Sequence, residues 1–185
     1  MAKRITTPLT DEVIGGLRAG DDVLLTGVIY TARDAAHKRL VALLDRGDPL
    51  PFKLEGATIF YVGPTPPKPG KVIGSAGPTT SGRMDPYALR LIEHGLKGMI
   101  GKGKRSQAVR DAMVENRAVY FAGLGGGGAL AAQCVKSVKL VAYEDLGTEA
   151  IREMYVEDFP LIVANDIYSG DAYDEGRAKY EKKQG

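Results

Sequence analysis

Cysteine is almost missing from this sequence: of 185 residues, Cys134 alone carries a thiol. A single thiol excludes an internal disulfide and any zinc or iron-sulfur site built from cysteines within the chain. Long apolar runs are missing too. No uncharged stretch approaches the roughly 18 residues that a bilayer span needs, and the opening "MAKRITTPLTDEV" has no apolar signal region, so a cytoplasmic protein is expected. Nor is there an excess of charge. With 25 basic and 23 acidic residues the formal net charge is +2, which gives no general field for nucleic acid and confines any cation cluster to a local one. No repeat of fixed period and no long linker divides the chain, and its length is enough to bury about 70% of the unfolded surface in one domain.

Glycine is what the chain has in plenty, 24 residues beside 10 prolines, the mark of many tight turns where loops meet strand ends. Between the turns, "DDVLLTGVIYTAR" (21–33) reads as a strand. It runs into a helix over "DAAHKRLVALLDRG", with Ala36, Leu40, Leu43 and Leu44 on one face, Asp34 as N-cap and Gly47 as stop. "GATIFYVGP" and "GKVIGSAGP" read as two strands joined by the proline-rich "TPPKPG". Asp85 is expected to cap a helix, with Pro86 at its first position, running to Gly95. Next come strand "LKGMIGKG", helix "SQAVRDAMVEN", strand "AVYFAGLG", helix "ALAAQCV" and strand "KLVAYEDLG", an alternation that favours a mainly parallel α/β sheet. "IREMYVEDFPLIVAND" adds one or two strands with Pro160 at their joint. Residues 1–168 are expected to form the domain, and 169–185, charged and poor in apolar residues, a tail that frays.

Several stretches invite a chemical interpretation. In "GLGGGG" (123–128), Gly123, Gly125 and Gly128 satisfy G-x-G-x-x-G, with Glu144 about 20 residues on, where a dinucleotide fold has its ribose acid. The alternative is a close-packed turn whose N–H groups still face an anion. "GKGKRS" (101–106) fails as a phosphate-binding loop, since Leu96 replaces its first glycine and Gly103 its hydroxyl residue. It leaves Lys102 at the C-terminal end of a strand, where such sheets bind ligands. Arg33 ends a strand just before a helix, either as a ligand-facing cation or in a surface ion pair with Asp34. His37 is expected as an ordinary hydrogen-bonded helix residue and His94 as a cationic helix end. In "GPTTSGRMDPY" (77–87), Gly77, Pro78 and Gly82 make a stiff turn that brings Thr79 and Arg83 close together; its alternative is a turn satisfying its own backbone.

"GPTTSGRMD", with "TARDAAH" before it and "GKGKRS", "EDLGTEAI" and "VEDFPLIVAND" after it, resembles the β subunit, or C-terminal domain, of class I iron-sulfur fumarate hydratases and the related tartrate dehydratases. The resemblance runs from "RITTPL" to about residue 168, with its blocks in the family's order. It implies a three-layer swivelling β/β/α domain. It also implies a 4Fe-4S cluster on three cysteines of an α subunit, with none bound here, so the chain needs that partner in a heteromer. The carboxylate-binding set becomes Arg33, Arg83 and Lys102, and Thr79 becomes part of the proton-transfer apparatus, working with an acid from the partner. Gly82 and "KGKRS" favour fumarate over tartrate as substrate. The methionine before the family's β start favours a separate subunit. A different class of function is an anion- or nucleotide-binding module using the turn from Gly123 to Gly128, which would bind its ligand as an isolated chain.

Overall fold

The structure is a computed structural model that describes residues 1–123 and 127–180. Its longest regular alternation is in β2 (Asp22–Thr31), where every second side chain is buried, as the two-residue period of a strand requires. β2 pairs in parallel with β1 (Lys3–Thr6) and, at its far end, with β3 (Thr58–Phe60). β4 (Gly98–Gly101) and β5 (Val119–Gly123) continue in parallel. The last long strand, β7 (Ile151–Asn165), runs antiparallel to β5, to β2 and to β6 (Val135–Ala142). The result is a seven-stranded mixed sheet in an α/β fold, mostly parallel, and the β2–β7 pairing closes β2, β3, β4, β5 and β7 into a circuit.

Two apolar cores lie on opposite faces of the central strands. Ile59, Tyr61, Met99 and Tyr120 point to one core, which is filled from α2 (Asp34–Arg46), α3 (Asp85–Glu93) and α4 (Gln107–Asn116). Their chain neighbours Phe60, Val62, Ile100, Val119 and Phe121 point to the other, filled from β2, β7, α1 (Asp11–Gly15) and α5 (Gly128–Cys134). β3, β4 and β5 therefore read as nearly continuous apolar runs, as strands covered on both faces do.

The structure departs from the sequence-based expectations in several places, each with a local cause. "GKVIGSAGP" forms no strand, because its backbone is tied to the proline-rich segment before it: Thr65 N donates to Ser75 O at 3.0 Å and Ser75 N to Thr65 Oγ1 at 2.8 Å. Asp34 is the first residue of α2 and not its cap, while Gly47 ends that helix in the left-handed conformation as expected. Asp85 caps nothing on its own helix. A 3₁₀ turn over Ser81–Met84 leads into α3, and the Asp85 carboxylate reaches instead to Arg105 Nε and to the N–H of Ser106, both at 2.7 Å. Pro160 interrupts nothing; β7 is one strand that bends at Asp158, whose φ is 48°, and Pro160 sits opposite Leu24. The supposedly frayed tail carries a helix, α6 (Ala172–Tyr180), capped by Asp171 and packed on β7.

Candidate functional site

The residues of interest gather at the carboxyl ends of the parallel strands, where open α/β sheets bind ligands. Arg33 follows β2, Tyr61 follows β3 and Lys102 follows β4. The turn 77–84 is fastened across these ends by its backbone. Thr79 N donates to Tyr61 O at 2.7 Å, Lys102 N to Thr79 O at 3.2 Å, and Ser81 N to Lys102 O at 2.8 Å. This short parallel bridge pairs Lys102 with Thr80 and fixes the backbones of Thr79 and Lys102 to each other. It needs a glycine beneath it: a Cβ on Gly101 would stand 1.9 Å from Ser81 Oγ and 2.9 Å from the Tyr61 ring. Ser81 Oγ in turn donates to Tyr120 Oη at 2.8 Å, and that hydroxyl donates to Gly103 O at 2.8 Å, so one phenol joins the two loops.

A carboxylate joins the arginines. Arg83 Nε donates to Asp34 Oδ1 at 3.0 Å, while Arg33 Nη2 lies 3.6 Å from Asp34 Oδ2 and Arg33 Nε 3.8 Å from Glu149 Oε1. Asp34 thereby ties Arg33 to Arg83, at the same strand ends that carry Thr79 and Lys102, and Lys102 is exposed with no ion pair among the described residues. Three cations face two carboxylates. The surface pair between Arg33 and Asp34 expected as an alternative is present, but it is too long for a hydrogen bond, and Arg33 Nε, Asp34 Oδ2 and Glu149 Oε1 are all buried without a hydrogen-bond partner. Such charged atoms are costly to leave unsatisfied.

Sequence reasoning missed Glu149 and Arg105, and took Asp34 and Asp85 for helix caps. Nothing local marks them, since their partners are distant in the chain. Arg105 is 4% exposed, its guanidinium carbon 5.3 Å from the centre of the Tyr61 ring and 5.0 Å from that of Tyr120. Burial pushes both phenols up, so they stay neutral beside it.

The described surroundings of the glycine stretch differ from those of a dinucleotide site. Gly125 and Gly126, with Leu124, lie outside the described residues. Glu144 follows β6, and β7 lies between β6 and β5, so Glu144 does not follow a parallel strand beside the turn. α5 has seven residues, and Gly128 O accepts from Ala76 N at 3.1 Å, which pins the turn to the segment leading into residues 77–84. His94 is the exposed C-cap of α3, as expected. No helix among the described residues is long and apolar enough to cross a membrane.

Comparison with known proteins gives the class that this fold and rim define. Residues 2–176 match the family described as Fumarase C-terminus, and the chain belongs to that family. It is 42% identical over 153 residues to the anaerobic class I fumarate hydratase of Escherichia coli K12, covering 82% of this chain and 28% of that protein. Fumarate hydratase 2 of Leishmania major is 38% identical over 156 residues, covering 83% and 28%. The putative L(+)-tartrate dehydratase subunit beta of Methanocaldococcus jannaschii is 38% identical over 181 residues, covering 94% and 93%. The chain thus spans just over a quarter of the fumarate hydratases and nearly all of the tartrate-type subunit. The relatives are hydro-lyases of both kinds.

Behind the rim lies His37, the hydrogen-bonded helix residue that was expected, and it is fully buried. Its Nδ1 donates to Arg33 O at 2.9 Å, which leaves Nε2 as a bare acceptor with no partner. Protonating Nε2 would create a buried charge near the Arg105 guanidinium. Burial, with Arg105 adding to it, lowers the His37 pKa from 6.5 to about 4. The folded pKa is depressed, so the unfolded chain takes up a proton first. Stability is then expected to be fully present above pH 6.5 and to fall by roughly 3 kcal/mol as the pH drops towards 4. Urea unfolding at a series of pH values checks this, and His37→Leu should flatten that part of the profile even where it lowers stability overall.

Proposed function

We propose that this chain is the β subunit of a class I fumarate hydratase, supplying the carboxylate-binding cations and a proton-transfer hydroxyl for the reversible hydration of fumarate to (S)-malate. One observation carries the proposal: Asp34 gathers Arg33 and Arg83 on the rim that also holds Thr79 and an unpaired Lys102. Asp34 takes Arg83 at its Nε edge, so the two terminal nitrogens remain as a planar fork for a carboxylate. Malate carries two carboxylates, and removing its C3 proton pushes further negative charge onto the adjacent one. Fixed cations in a water-poor cleft stabilise that charge, each donor contributing about 2.7 to 4 kcal/mol. Thr79 is held by its backbone beside Lys102, and its neutral hydroxyl needs a carboxylate to relay the proton. Residues 77–83 contain no acid, and the nearby Asp34 and Glu149 face the arginines, so we assign the relaying acid to the partner.

The donor set of this chain does not fit a 4Fe-4S cluster. It has one cysteine, and no group of three or more His, Cys, Asp or Glu side chains among the described residues is placed to hold a metal ion. We assign the cluster to an α subunit. The share of the fumarate hydratases left unmatched, and the near-complete match to a tartrate-type beta subunit, support a separate partner. Fumarate is preferred to tartrate on Gly82 and "KGKRS". The two cores flanking the central strands are taken as the layers of a swivelling β/β/α domain.

Reconstitution tests the proposal. The isolated chain should bind no stoichiometric iron and hydrate no fumarate, and activity should return with a cysteine-bearing α partner in an anaerobic assay. Turnover by this chain alone, after reconstitution with iron and sulfide, would sink the partner assignment.

Within that complex, Arg83→Lys keeps the charge but loses the fork. The expected result is a fall in kcat/KM of at least about tenfold, or roughly 1.4 kcal/mol, with the fold intact. Unchanged kcat/KM would leave Arg83 as a brace of the turn.

Thr79→Val keeps the shape and removes the hydroxyl. The loss should fall on kcat, by about 100-fold or more, with KM for malate little changed and exchange of the malate C3 hydrogen with solvent slowed in step. A raised KM with kcat kept would make Thr79 a binding residue only.

A further inference from the structure

We infer that the C-terminal helix α6 is a brace for Lys102, acting through the hydroxyl of Tyr173; this rests on the proposal that Lys102 binds the substrate. The side chain of Lys102 makes no ion pair or hydrogen bond among the described residues, so its direction is set by its backbone alone. On one side that backbone is fixed by the bridge to Thr79 and Ser81. On the other stands Gly103, with φ at 80°, a conformation that its own chemistry does not enforce. Two phenols hold the residue there. Tyr120 Oη donates to Gly103 O at 2.8 Å from the buried core, and Gly103 N donates to Tyr173 Oη at 3.0 Å.

α6 has the anchorage such a role needs. It is nine residues long and too short and polar to persist by itself. Its contacts converge on the segment that follows β4. Asp171, 6% exposed, caps the helix through the N–H groups of Tyr173 and Asp174 and accepts from Arg110 Nη1 at 2.7 Å. Asp174 pairs with Lys104. The Tyr173 ring packs against the core on the helix side of the sheet. The helix therefore stands behind the loop that carries Lys102, and Tyr173 is a positioning residue.

Tyr173→Phe keeps the ring and removes the hydroxyl. In the isolated chain, amide hydrogen exchange at Gly103 should quicken by between about twofold and tenfold, the factor one neutral hydrogen bond supplies, with the urea midpoint lowered by no more than that one bond accounts for. In the reconstituted complex KM for malate should rise by a similar factor with kcat kept, and the rise should vanish in a Lys102→Met background. Unchanged exchange at Gly103 overturns the brace. Faster exchange with an equal KM rise in the Lys102→Met background overturns its link to Lys102. A wild-type complex that hydrates nothing defeats the functional proposal instead, and the exchange measurement still decides whether Tyr173 holds the loop.

Discussion

Behind the rim a guanidinium is buried with almost no water, and the arrangement in front depends on its being satisfied there. Removing a charge from water costs several kcal/mol unless partners replace the lost hydration. Arg105 recovers part of that cost from the Asp85 carboxylate at 2.7 Å, from a contact to Met99 Sδ at 3.3 Å, and from the faces of Tyr61 and Tyr120, while its Nη2 is buried without a hydrogen-bond partner among the described residues. Each partner belongs to a different piece of the site. Asp85 ends the turn that holds Thr79 and Arg83, Tyr61 O accepts the Thr79 N–H, and Tyr120 joins Ser81 to Gly103. Displacing the turn would strip the buried charge of its counter-ion, so the turn and the Lys102 loop are coupled.

Parts of this were legible in the sequence because they are written in short-range periods. The alternation in β2, the apolar face of α2 and the left-handed stop at Gly47 follow from side-chain spacing alone. Motifs singled out four candidate residues, and the structure puts Arg33 and Lys102 after parallel strands and Thr79 and Arg83 in the turn fastened across those ends. What stayed hidden are partnerships across distance. Asp34 and Asp85 both stand at helix starts, where an acid is favoured by the helix dipole, and that local explanation masked their bonds to Arg83 and Arg105.

The C-terminal helix shows a related limit. Its residues are charged and carry few apolar side chains, so a search for amphipathic spacing finds nothing in "AYDEGRAKY". Its anchorage includes a buried cap, the ion pairs of Asp171 and Asp174 with Arg110 and Lys104, and one ring, none of which has a period. "GKVIGSAGP" fails in the opposite direction: its apolar residues look like a strand, but its backbone is bonded locally, and a strand exists only where a ladder partner is in reach.

The exposure of the cations limits what they can do to an anion at an open surface. Arg83 is 54% exposed, and at such a surface water screens its attraction to a carboxylate almost to nothing. Asp34 and Glu149 offset part of the positive charge, which keeps the arginines in place but leaves them a modest pull on an anion. The same groups act strongly only where a second surface excludes water, since lowering the local dielectric multiplies each remaining interaction while the hydrogen-bonded frame beneath stays fixed. A rim that is rigid underneath and open above is therefore suited to being closed by a second surface, which would meet cations whose positions are already set.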